Sequence, residues 1–142
     1  MRRILAGSVF LALLAAPAMG ADLFSKSYAF KAGTRLEIGM ELDGGVRIDA
    51  VRFVLPDPGQ GGDIGSPAKA EIEISNLGTK STKIGIALAL LDGEQRLVAA
   101  ANGGTKMFAL RTDRQMTYTI SFDNVYGEVG TATSFKLAVE PK

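Results

Sequence analysis

Apolar residues recur at every second position through much of the chain. Leu36, Ile38 and Met40 alternate with Glu37, Gly39 and Glu41, and Ala70, Ile72 and Ile74 alternate with Glu71, Glu73 and Ser75. Tyr118, Ile120 and Phe122 alternate with Thr117, Thr119 and Ser121, and Phe135, Leu137 and Val139 with Lys136, Ala138 and Glu140. Successive side chains of an extended strand point to opposite faces, so this alternation predicts strands with one buried and one wet face. No helical stripe appears beyond the first twenty residues. The best candidate, Leu97–Ala101, is short and runs into Asn102-Gly103-Gly104, which reads as a turn.

Turn signals separate these runs. Asp43-Gly44-Gly45 between LEIGMEL and VRIDAVRFVL predicts a hairpin, and Asp92-Gly93-Glu94 and Thr112-Asp113-Arg114 predict further turns. The run 46–55 changes phase. Val46 and Ile48 share one parity and Val51, Phe53 and Leu55 the other, which predicts a bulge near Asp49-Ala50. The Gly/Pro-rich segment 56–67 and the segment 123–133 read as long connections. The whole pattern predicts an all-β chain of seven or eight strands, arranged as one antiparallel β-sandwich domain over residues 21–142.

One strand departs from the alternation. In 83–91, Ile84, Ile86, Leu88 and Leu90 form one face, while Gly85, Ala87, Ala89 and Leu91 form the other, and neither face is polar. A strand apolar on both sides predicts either a central position roofed by long neighbouring side chains or a small-residue surface where a partner or a second copy docks. Gly85, Ala87, Ala89 and Leu91 are therefore the candidate partner-binding residues.

The start of the chain changes the expected location. Arg2 and Arg3 precede the apolar run Ile4–Ala16, then Pro17 and the small residues Ala18 and Gly20 follow. This pattern predicts a cleaved secretory signal peptide over 1–20 and a periplasmic or secreted protein. The apolar run is short of the roughly 20 residues a spanning helix needs, so no membrane span is expected after cleavage. The chain carries 16 basic and 15 acidic residues and no Cys or His. With Arg2 and Arg3 removed, the remainder is close to neutral. Arg111 and Arg114, which flank an Asp in a turn, read as solvated, and no nucleic-acid footprint is present.

Composition also limits the chemistry. Without Cys or His there is no Ser-His-Asp triad, no thiolate nucleophile and no zinc site of the usual kind. Glu71 and Glu73 lie two apart on one strand face, at a spacing near that of a glycosidase pair, but the flanking Lys69 and Ser75 favour a solvated face. Glu37 and Glu41 read the same way. Asp57 and Asp63 bracket a glycine-rich loop and are the candidate Ca²⁺ ligands. Met40, Met107 and Met116 are scattered and are assigned to core and gap filling. Tyr28 and Tyr126 are candidates for stacking on a saccharide.

Residues 71–100 read EIEISNLGTKSTKIGIALALLDGEQRLVAA. The order of strand, Asn-containing turn, apolar strand ending in Leu-Asp, Gly turn and Arg-Leu-Val resembles the small exported bacterial sandwich domains called FxLYD-like, of the immunoglobulin-like group. In the stretch Leu88-Ala89-Leu90-Leu91-Asp92, Leu90 and Asp92 fit that family's Phe-x-Leu-Tyr-Asp, while Leu88 and Leu91 stand where it has aromatics. The resemblance implies an immunoglobulin-like fold and export, and it implies no activity. The combined expectation is a non-catalytic module, without a cofactor, that binds a protein partner or itself. The alternative is an envelope domain that binds Ca²⁺ or a saccharide.

Overall fold

The computed structural model describes residues 26–56, 68–125 and 127–142. The expected signal peptide, Asp57, Asp63 and Tyr126 lie outside the described residues. The chain forms β1 (Ser27–Ala29), β2 (Arg35–Glu41), β3 (Val46–Val54), β4 (Lys69–Asn76), β5 (Ile84–Leu91), β6 (Leu97–Gly104), β7 (Arg114–Ser121), β8 (Asn124–Val125) and β9 (Ser134–Pro141). One sheet has the order β1-β9-β5-β6-β8 and the other β2-β3-β4-β7. Every strand pairing within them is antiparallel. The described residues thus form an all-β sandwich of nine strands. The count exceeds the expected seven or eight because of the short strands β1 and β8, and β8 lies inside the segment 123–133 that reads as a plain connection.

The period-two pattern explains the two layers. The inward residues of β3, β4 and β7 face those of β5, β6 and β9, and residues such as Ile72, Ile74, Leu88, Leu90 and Phe135 are almost wholly removed from water. The phase change in β3 is taken up where it was expected. The β3–β4 register shifts between Ile48 and Ala50, so that Asp49 is the extra residue and both apolar sets reach the core. The segment 102–104, in contrast, is not a turn. Gly103 and Gly104 complete β6 opposite Ile86 and Gly85. A Cβ at Gly103 would press on the Ile120 side chain of the facing sheet, and one at Gly104, where φ is +133°, would strike the Ile84 carbonyl. These glycines mark close packing rather than chain reversal.

Aromatic rings join the sheets at one end. Phe53 of β3 meets Phe135 of β9 edge to face at 4.8 Å, with Phe30 at 4.8 Å and Phe122 at 6.3 Å on its other sides. At the opposite end the tie is polar. Asn76, fully buried at the end of β4, donates from Nδ2 to the carbonyls of Lys80 (2.8 Å) and Leu110 (2.9 Å). Its Oδ1 accepts from the Gly78 amide at 3.0 Å. One side chain thereby satisfies three backbone groups from two loops.

Two outcomes test these ties. Phe135→Ala is expected to lower unfolding free energy by about 3–5 kcal/mol, read as a urea midpoint shift at constant slope. Asn76→Asp keeps the shape but sets a carboxylate against two carbonyl oxygens. It should cost about 3 kcal/mol or more near neutral pH, and wild-type stability in that variant would show that the three hydrogen bonds contribute nothing.

Candidate functional site

The two outer faces of the sandwich differ in chemistry. On the four-stranded sheet, long charged side chains pair across strands. Arg35 donates from Nε and Nη2 to the two carboxylate oxygens of Glu73, at 2.9 and 2.6 Å, and also pairs with Glu37. Arg52 lies 3.9 Å from Glu71. These carboxylates are therefore on the solvated face that the sequence favoured for them, held by arginines. The Glu73 carboxyl is lowered from its ordinary value first by the hydrogen bond from Arg35. A catalytic acid needs the opposite shift.

Asp49 is the buried carboxylate of this face. It accepts from Ser75 Oγ at 2.5 Å, Arg47 Nε at 2.6 Å and Gln115 Nε2 at 2.9 Å. Burial alone pushes its carboxyl up, but the hydrogen bonds from Ser75, Gln115 and Arg47 together outweigh burial and hold it below the usual carboxylate value. With three donors already engaged, Asp49 pins the bulge of β3 to β4 and β7.

The outer face of the five-stranded sheet is built from small residues. β5 lies at its centre, between β6 and β9. Gly85, Ala87 and Ala89 point outward and are half-buried, whereas Leu91 at the strand end is almost covered. The register extends this surface to residues the alternation did not single out. Ala87 lies opposite Ala138 of β9 and Asn102 of β6, and Ala89 opposite Lys136 and Ala100. The signal for Ala138 was present in the sequence, where it stands between Lys136 and Glu140 on the polar parity of its strand. Leu97, 46% exposed, continues the surface beside Leu91. The result is a flat patch spanning three strands, with Lys136, Glu140 and Asn102 at its margins.

Asp57 and Asp63 fall outside the described residues, and among those described there is no cluster of three or more acidic side chains that could hold a metal ion. The Tyr28 ring is stacked on Phe135 at 5.2 Å with the Lys26 ammonium 5.3 Å from its centroid, so it is engaged within the protein rather than offered to a sugar. Burial raises the Tyr28 hydroxyl above its ordinary value. Of the three methionines assigned to the core, Met40 packs there, but Met107 is 80% exposed and Met116 is half-exposed. Among the described residues no helix is long and apolar enough to cross a membrane.

Asp92 of the resemblance motif has a structural task. Its Oδ1 accepts from the amides of Glu94 and Arg96, both at 2.9 Å, and its Oδ2 from Arg96 Nε at 2.9 Å, so it closes the β5–β6 turn. These bonds, the Arg96 amide first, hold its carboxyl below the ordinary value.

Asp49→Ala is expected to cost about 1–3 kcal/mol near pH 7, because Ser75, Gln115 and Arg47 lose their acceptor. Since the folded carboxyl sits below its unfolded value of about 3.9, its contribution is complete above that pH and is lost as pH falls through the folded value. Urea unfolding across this range should show a shallower acid limb in the variant than in the wild type. Comparison of the chain with protein-family models, with curated proteins and with solved structures finds no match.

Proposed function

We propose that this chain is an exported, non-catalytic interaction module that binds a protein partner through the outer face of its five-stranded sheet. The observation that carries the reading is the run of small residues across three strands, Ala100, Ala87, Ala89 and Ala138, on one outer face. The other outer face is covered by Arg–Glu pairs. A surface without long side chains lets another flat surface approach closely, and docking there orders few flexible groups. Lys136 and Glu140 at its margins supply charges that orient the partner. The immunoglobulin-like reading fits the strand order, in which β3-β4-β7 face β6-β5-β9 and β1 adds to the free edge of β9. Export rests on the signal-like start of the sequence.

Ala87→Arg and Ala89→Arg test the proposal, because an outward arginine can lie along the sheet and leave the core intact. Each variant is expected to keep a urea midpoint close to wild type. A photo-crosslinking residue at exposed Asn102, in the protein expressed in its exporting host, should trap a defined partner, and the trapped product should vanish in either arginine background. Unfolding of both variants would show that the face belongs to the core. Crosslinks that persist in folded variants would place the partner elsewhere.

A further inference from the structure

The loop joining β6 to β7 carries the two most exposed large hydrophobic residues among those described. Met107 is 80% exposed and Phe108 79% exposed. They are adjacent, at the apex of Lys106-Met107-Phe108-Ala109. The loop is held at its base. Leu110 is buried, exchanges both backbone hydrogen bonds with Thr82 (3.0 and 2.8 Å), and gives its carbonyl to Asn76 as well. The apex therefore projects from a fixed footing, and Phe108 joins Arg111, Arg114 and Met116 around an open depression of about 270 Å³.

Three basic side chains flank this apex. Lys106, Arg111 and Arg114 are exposed, and none of them lies within ion-pair distance of a carboxylate among the described residues. Lys80 and Lys83 of the neighbouring β4–β5 loop emerge at the same end, against Asp43 and Asp113.

We infer that this basic end docks on an anionic lipid surface, with Met107 and Phe108 entering the boundary between headgroups and acyl chains. Lys106, Arg111 and Arg114 then meet lipid phosphates. The chemistry on each side is complementary. Two adjacent apolar side chains at the tip of a narrow loop suit insertion between lipids, and guanidinium groups bind phosphate oxygens in pairs. An anionic surface attracts the basic side chains around the apex, which carry no ion pair among the described residues. This site is separate from the small-residue face of the five-stranded sheet, and each can be lost without the other.

The protein contains no tryptophan, so Phe108→Trp supplies a single reporter at the apex. The exported protein carrying this change is mixed with vesicles of phosphatidylglycerol and phosphatidylcholine in equal parts, and with vesicles of phosphatidylcholine alone. A blue shift of the fluorescence is expected with the first and not the second, and added salt should weaken it. In flotation of the otherwise natural protein, Met107→Ser with Phe108→Ser should reduce binding at least about tenfold. Arg111→Gln and Arg114→Gln should each reduce it about fivefold. All variants change exposed side chains and should melt at the wild-type temperature, which circular dichroism checks. No binding to anionic vesicles overturns the inference, as does binding that the double serine variant leaves unchanged. A blue shift with polyglutamate and none with vesicles would also overturn it, assigning the tip to an acidic protein partner.

Discussion

The apolar inner faces of the two sheets have only each other as cover. With no cysteine in the chain, no disulfide joins the layers, so burial of side chains such as Phe53 and Phe135 must hold them together. Fully burying one such side chain contributes about 1.5–3 kcal/mol. Register then becomes strict, because a slip of one residue would turn the apolar set of a strand outward. The bulge at Asp49 follows from this requirement. Val46 and Ile48 cannot share a face with Val51 and Phe53 in a regular strand, and one extra residue brings both pairs into the core. The displaced Asp49 then needs partners, and Ser75 on the adjoining β4 and Gln115 on β7 beyond it provide them.

The outer faces carry no such obligation, and they diverge. The four-stranded sheet spends its outward positions on arginine and glutamate in register, which covers the backbone with flexible charged stems. The five-stranded sheet places alanine and glycine there instead. An exposed charged pair contributes little to stability, so the Arg–Glu ladder acts chiefly to keep that face wetted and unattractive to another sheet. Absence of the same device on the other side makes the contrast informative, since both sheets face the same solvent.

Period two made β2, β3, β4, β7 and β9 legible, the unbroken apolar run marked β5, and the parity change in 46–55 located the bulge. Strands β1 and β8 were not legible, because two or three residues cannot display a period. Asn102-Gly103-Gly104 misled for a physical reason. Glycine is common in turns for its backbone freedom, but here it is required by close approach, with Ile120 above one residue and the Ile84 carbonyl beside the next. Ala100 and Ala138 joined the surface around Ala87 only once register placed them opposite β5. Met107 read as core material because side-chain chemistry alone cannot say whether a turn folds its apolar residues inward. That is decided by Asn76 and Leu110, whose contacts with two loops are long-range and leave no local pattern.

The same Asn76 network bears on what the exposed loop can do. A loop free to rearrange could bury Met107 and Phe108 against its own domain, and if it bound a surface it would lose that freedom on doing so. Here the base is fixed by paired backbone bonds between Leu110 and Thr82 and by a buried amide that serves both loops at once. Part of the entropy of ordering is already lost in the folded state, so contact with a second surface costs less of it. The stability of that end of the sandwich and the exposure of its two apolar side chains are consequences of one arrangement.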